Sequence, residues 1–327
     1  VLSSELWRDI EPLITRPMNL EYDLKAGKRG QRDAVVEGRL CRIIGCEAAT
    51  VVNNCAAALM LVLNTLALHQ RVPVSRGELV EIGGSFRLPE LMSRAGCELI
   101  EVGTTNRTRL SDYSEVSAEA ALLLKVHPSN YHIEGFTESV AAKELAELAQ
   151  QYDLPSCVDL GSGTLVDLTR FDLPAEPTPQ QVLADGVDLI TFSGDKLLGG
   201  VQAGITVGKR ELIERIRKNP MKRALRADKI TLAVLEATLK RYEDPDTLHK
   251  NIPILRIMTR PVAELEQTAR KLKDALSSSY SCKVENSQAQ IGSGALPDRT
   301  LPSLALTISH PEFSAEDISN KRRALPV

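Results

Sequence analysis

The chain has 327 residues, 43% hydrophobic and 25% charged, with a formal net charge of −3. That length and mix suit one large globular domain plus a smaller one, and the charge balance excludes a globally basic nucleic-acid binder, leaving any such contact to a local patch or to a part outside the chain. The six cysteines, at 41, 46, 55, 97, 157 and 282, form no CxxC pair or zinc-type spacing, and the longest apolar stretch, 56–68, is broken by Asn64 and Thr65, short of the roughly 20 residues a membrane span needs.

The chain starts at Val1 without a methionine and ends just after a charged, helix-like segment, so it reads as a fragment trimmed at both ends. Residues 1–20 pattern as one amphipathic helix, with Leu6, Trp7, Ile10, Leu13 and Ile14 on a face and Pro17 closing it; such a face would pack on another domain or subunit. Residues 21–31, with Lys25, Lys28 and Arg29, read as an extended basic loop before a helix at 32–44. A short strand at 49–52 then leads through Asn53 and Asn54 into Cys55, Ala56, Ala57 and Ala58, with an apolar helix from Leu59. Small residues at a strand-to-helix junction let helix N–H groups approach an anion, although Ala-rich helix starts also occur without one.

Strands follow at 79–82, 98–102, 121–126 and 156–160, with helices at 88–95 and 140–152 between them. This alternation predicts an α/β fold with a parallel sheet covered on both faces, in which ligands collect at the carboxyl ends of the strands. Those ends carry Asn54, Ser85, Asn106, His127, Asn130, Asp159 and Lys196.

Lys196 lies in the most informative window. A buried strand at 189–192 runs into Ser193-Gly194-Asp195-Lys196, then into glycines and a second apolar strand at 203–207. A lysine delivered there is placed where desolvation can make its amine nucleophilic, the chemistry of a Schiff-base lysine; taken alone, the window reads equally as a solvated turn charge. Past residue 208 come a helix at 210–217 and a long helix opened by Asn219-Pro220 and running to about 242. Arg223 and Arg226, three apart on its first turns, form either a two-pronged anion clamp or a solvated basic face. From 251 the pattern is that of a separate α/β unit: a helix at 253–278, a strand at 282–285, a glycine loop at 292–294 within loop-like 288–297, a strand at 301–308 and a helix start near Ser314. The domain reading is therefore 1–20, a helical segment; 21–245, a large cofactor-binding domain; and 246–327, a small truncated C-terminal domain.

An aldehyde cofactor such as pyridoxal 5′-phosphate needs a phosphate cradle, a carboxylate at its pyridine nitrogen and an imine-forming lysine. The chain offers Asn54-Cys55-Ala56-Ala57, Asp159 and Lys196 in that order. Asp159 ends an apolar strand, where an unpaired carboxylate is costly, so a cationic partner is expected there unless the side chain caps the turn at Gly161 and Ser162.

Three runs, Cys157-Val158-Asp159-Leu160-Gly161-Ser162-Gly163, Phe192 to Gly200 and Lys222 to Lys229, resemble the bacterial selenocysteine synthases, the L-seryl-tRNA(Sec) selenium transferases. The resemblance extends over nearly the whole chain. It implies a pyridoxal-phosphate enzyme of fold type I (aspartate aminotransferase-like), with Lys196 holding the cofactor as an imine, Asp159 on the pyridine nitrogen, and Ser193 with Asn54 to Ala57 on the phosphate. It further implies Arg223 and Arg226 on selenophosphate, Asn130 near the ring hydroxyl, and His127 or Phe86 against the ring. The implied reaction removes water from seryl-tRNA(Sec) and adds selenium at Cβ, in a cytoplasmic homo-oligomer with active sites at subunit interfaces. The family also has an N-terminal tRNA-binding domain and a further active-site arginine that precede the start of this chain, so the fragment is expected to bind cofactor yet fail to bind tRNA or turn over. A pyridoxal-phosphate lyase acting on a free amino acid or amino sugar, and a non-catalytic tRNA-binding paralogue, are the competing readings. The paired arginines argue against the first, and retention of Lys196 and Asp159 argues against the second.

Overall fold

The strands Ala48–Val52, Leu189–Ser193 and Gly204–Gly208 are buried at every position, as strands covered on both faces must be. The computed structural model in which they are seen describes residues 2–24, 26–84, 86–276, 279–292, 296 and 299–323. Ser85, Lys25 and Gly294, which belonged to expected loops and strand ends, lie outside the described residues. The described residues fall into two units: the chain up to Arg256 together with Gly292 and Leu296, and Ile257–Ile291 together with the residues from Arg299 onward.

In the first unit the sheet order is Ala48–Val52, Gly204–Gly208, Leu189–Ser193, Ser156–Gly161, Leu123–Val126. The last three run parallel, whereas Gly204–Gly208 is antiparallel to both its neighbours. The sheet is thus mostly parallel, as expected for the large domain, with one antiparallel strand. The connection over 194–203 is too short for the crossover of a dozen or more residues that a parallel neighbour needs. A parallel pair, Arg71–Ser75 and Glu98–Val102, continues the layer, with the Ala121 N–H donating to the Arg71 carbonyl at 2.9 Å. Arg71–Ser75, with Pro73 in its middle, is a strand outside those expected, and of the strand expected at 79–82 only Glu81–Ile82 pairs, with Phe86–Arg87.

Helices cover both faces. Cys55–Leu66, Leu88–Ala95 and Arg210–Lys218 share one apolar core with Val72, Leu124 and Leu189, while Leu110–Ser117 and Ala142–Gln151 build another with Val102 and Leu123. Helix Ser4–Thr15 docks Leu6 and Ile10 on Ala233, Val234 and Ala237. Its apolar stripe is narrower than expected, since Trp7 is 56% exposed and Leu13 41%.

The long helix expected from Asn219 to Tyr242 is two helices, Met221–Ala224 and Lys229–Arg241. Between them the Leu225 carbonyl accepts from the Asn53 N–H at 2.9 Å and Arg226 bridges Val52, so the backbone there serves the sheet edge. The Asp228 carboxylate then restarts the helix by accepting from the Ile230 and Thr231 N–H groups. Similarly, the helix expected at 253–278 divides into Pro253–Met258 and Val262–Ala275, the second opening after Pro261.

The second unit pairs Ser281–Gln290 with Thr300–Ser309 in one antiparallel ribbon, longer than expected at both strands and absorbing the first residues of the 288–297 stretch. Ser314 precedes helix Ala315–Arg323, its N–H and hydroxyl both donating to Asp317. Among the described residues no helix is long and apolar enough to cross a membrane.

Candidate active site

The strand-to-helix junction at Asn54 is shaped by its own cap. Asn54 is extended (φ −163°, ψ 168°), and its side chain accepts the Ala57 N–H at 2.9 Å, starting the helix at Cys55 rather than at the Leu59 anticipated. The amides of Cys55 and Ala56 have no intrahelical acceptor and lie at the positive end of the helix, which makes the turn an anion cradle. Gly204 on the adjacent strand lets the cradle approach, because a Cβ there would lie 2.0 Å from the Asn54 carbonyl oxygen. Gly204→Ala is therefore expected to push the cradle off the sheet, costing about 1–3 kcal/mol, read as a lowered melting temperature together with weaker binding of a phosphate-bearing ligand. An unchanged melting temperature would show that the junction yields freely.

The cradle opens into a cavity of about 620 Å³ that is also lined by Ile82, Gly83, Phe86, Asp159, Gly161, Ser193, Asp195, Lys196 and Gln202. Asp159 is 8% exposed. Thr191 lies opposite it in the parallel register and donates its hydroxyl at 2.7 Å, and the Cys55 thiol lies 3.4 Å from the same oxygen. Burial pushes the Asp159 carboxyl above its usual range, opposed by the Thr191 and Cys55 hydrogen bonds and by the charge of Lys196. Burial, then Asp159, pushes the Cys55 thiol well up, so the thiol remains a neutral donor. Lys196 is half-buried, and a Cβ added at Gly161 would lie 3.9 Å from its Nζ. Among the described residues no side-chain cation is in ion-pair contact with Asp159, so a ligand that brings its own positive charge fits this carboxylate.

The structure thus brings together Lys196, Asp159, Ser193, Asn54, Cys55 and Ala56 of the expected set, with Ala57 bonded to the cradle's cap and Phe86 on the cavity wall. Asn130 does not line the cavity; its amide donates to the Glu81 carbonyl at 2.9 Å, and its buried Oδ1 has no hydrogen-bond partner among the described residues. His127 turns its Nε2 toward Glu176 at 3.3 Å, although its backbone N–H holds the Asp159 carbonyl at 2.8 Å. Sequence reasoning missed Thr191 and the thiol of Cys55 as partners of Asp159. The two-residue spacing of Thr191 and Ser193, which puts both on one face of a strand, was the available signal for the threonine.

Arg223 and Arg226 line a different cavity, of about 440 Å³, with Glu21, Arg29, Arg32, Lys222 and others. Because the helix breaks at Leu225, the two arginines are not successive prongs of one helical face; a short helix carries Arg223 and a bridge to Val52 carries Arg226. The floor is a buried ion pair, Lys222 to Asp33 at 3.0 Å, with Lys222 also donating to the Val51 carbonyl at 2.6 Å. Burial lowers the Lys222 pKa, with Asp33 opposing.

The model of the family described as L-seryl-tRNA selenium transferase matches residues 1–327. Over 297 residues the chain is 54% identical to the L-seryl-tRNA(Sec) selenium transferase of Yersinia enterocolitica and 53% identical to that of Haemophilus influenzae, in each case covering 89% of this chain and 64% of the relative. It is 54% identical over 316 residues to the enzyme of that name from Methylocella silvestris (94% and 67%). The chain therefore spans a little under two thirds of the length of the first two relatives. Among solved structures it is similar to a D-glucosaminate-6-phosphate ammonia-lyase (TM-score 0.67, 17% identity, 98% of this chain and 80% of that one). It is also similar to the cystathionine gamma synthase of Xanthomonas oryzae pv. oryzae (TM-score 0.52, 19%, 82% and 65%) and to a serine palmitoyltransferase from S. paucimobilis (TM-score 0.53, 13%, 83% and 64%). These likenesses are of fold, and they place the α/β unit in the expected fold type I class.

Proposed function

The chain belongs to the L-seryl-tRNA selenium transferase family, and from that premise we propose that it is the cofactor-binding part of an enzyme that converts seryl-tRNA(Sec) to selenocysteinyl-tRNA(Sec) with selenophosphate. The observation that carries the proposal is the meeting of Lys196, the cationless Asp159 and the Asn54 cradle in one cavity. Pyridoxal 5′-phosphate fits those three groups; when bound it supplies an electron sink for the pair released as the substrate Cα proton leaves.

The chain's own residues divide the remaining work. The amides of Cys55 and Ala56, with the Ser193 hydroxyl, hold a phosphate, and Asp159, fixed by Thr191 and Cys55, holds a pyridinium proton. Lys196 binds the aldehyde carbon and, when free, is the amine in the cavity able to move the Cα proton. Phe86 narrows the mouth against water. Arg223 and Arg226 bind the phosphate oxygens of selenophosphate, for which planar guanidinium forks suit the geometry.

The lysine cavity and the arginine cleft have no lining residue in common. That separation supports a homo-oligomer in which the cleft of one copy serves the cavity of the next; its proposed location is the cytoplasm, where its tRNA substrate is made. Residues 21–245 act as the cofactor-binding domain and 246–327 as the smaller one, with tRNA held mainly by sequence outside this chain. The test is direct: a protein of full family length, given seryl-tRNA(Sec) and selenophosphate, is expected to release selenocysteinyl-tRNA. If seryl-tRNA is recovered unchanged, the transferase reading is abandoned.

A further inference from the structure

We propose that Glu21 sets the affinity threshold of the arginine cleft, acting as a tethered carboxylate that every anion must displace and that a multiply charged oxyanion displaces most readily. The inference rests on reading the cleft as the site of a phosphate-bearing donor. Glu21 precedes the hairpin of Tyr22–Asp23 and Lys28–Arg29, and its carbonyl accepts the Gly30 N–H at 2.9 Å, so its place is fixed by backbone. Its Oε1 accepts from Arg226 at 3.2 Å and from Arg32, and its Oε2 accepts from Arg29 at 2.9 Å. The Arg223 side chain lines the same cleft with no hydrogen bond or ion pair among the described residues. Four guanidinium groups therefore face one carboxylate.

The deeper charges do not add to this excess, because Lys222 is paired with Asp33, and Arg217 with Glu37 and Glu214. The forks that would grip a ligand are already held by a carboxylate, whose planar oxygens imitate part of an oxyanion. A monoanion that replaces it exchanges one charge for one charge, against a competitor whose tether gives it a high effective concentration. A dianion or trianion gains from every additional charge, about fivefold in affinity for each pair about 4 Å apart even at water-like dielectric. Glu21 thus lowers the affinity of every anion by one common factor, which leaves weakly bound monoanions outside the cleft while a multiply charged ligand still enters.

The experiment is calorimetric titration of the cofactor-loaded protein, with the Asn54 cradle filled, using inorganic phosphate at pH 8 as the dianion and nitrate as the monoanion at constant ionic strength. The parent is expected to bind phosphate at least about tenfold tighter than nitrate, and Glu21→Gln to tighten both anions about fivefold or more, since the same competitor is removed from each. Glu21→Asp, which retains the charge, is expected to keep the parent affinities, and thermal melts establish that each variant is folded. Weakened binding of both anions in Glu21→Gln would make the residue a brace for the arginines and overturn the proposal, as would unchanged affinities. Arg226→Ala separates the two levels. If it leaves phosphate binding intact, the reading of the cleft itself fails; if it abolishes binding while Glu21→Gln leaves both affinities alone, only the role of Glu21 fails.

Discussion

In a protein of full family length, Lys196→Ala is expected to lower selenium transfer by at least about a thousandfold and to remove the cofactor's imine absorbance while leaving the fold intact. The expectation follows from position. Lys196 is half-buried in the wall of the cavity that also holds Asp159, Ser193 and the Asn54 cradle, and among the described residues it is the only amine lining that cavity. Lys222, whose pKa is lowered by burial, is the tempting rival, yet it is committed to Asp33 and the Val51 carbonyl and lies in the other cavity. Borohydride reduction of the parent followed by peptide mapping should put the label on Lys196. Label on Lys222, or an imine band persisting in Lys196→Ala, would move the chemistry elsewhere.

The second large effect is expected at the arginine cleft: Arg226→Ala should cost about a hundredfold or more in transfer with cofactor absorbance unchanged, and Arg223→Ala should act in the same direction. Guanidinium groups that stabilise a transferring phosphate-bearing donor have no role in holding a cofactor in a cavity they do not line. Because the two cavities share no residue, mixing inactive Lys196→Ala and Arg226→Ala copies should restore part of the activity through hybrid interfaces. Loss of the cofactor band in Arg226→Ala would instead mean that its bridge to Val52, beside the cradle, is what matters.

The parts of this site that were legible in the sequence are those whose chemistry and location coincide in a short window. Asp159 lies near the carboxyl end of strand Ser156–Gly161 and Lys196 three residues past strand Leu189–Ser193, and a charge in those places has few explanations. The Asn54 turn was legible as a junction, but the helix begins at Cys55, four residues before Leu59, because the Asn54 side chain caps the Ala57 N–H. What resisted reading was non-local. Arg226 leaves its helix because Val52 and Asn53, more than 170 positions earlier, take its backbone into the sheet edge, and no periodicity records that. The neighbours of Asp159 depend on strand register, and Glu21 meets Arg226 only after the chain has folded.

The short connection that makes Gly204–Gly208 antiparallel has a kinetic consequence for Lys196. Its ends are tied by the Gly194 N–H on the Ala203 carbonyl at 2.9 Å and the Gly200 N–H on the Gly194 carbonyl at 2.8 Å, and the Leu197 N–H is held by the Ser162 carbonyl at 3.1 Å. With the backbone pinned on both sides of the lysine, the amine can engage and disengage only by rotation about its own side-chain bonds. Such rotamer hops take picoseconds to nanoseconds at exposed positions, against nanoseconds to microseconds for loops. A swing confined to the side chain therefore asks no loop motion of the turn, so opening of the 194–203 connection is not a step that the lysine itself requires.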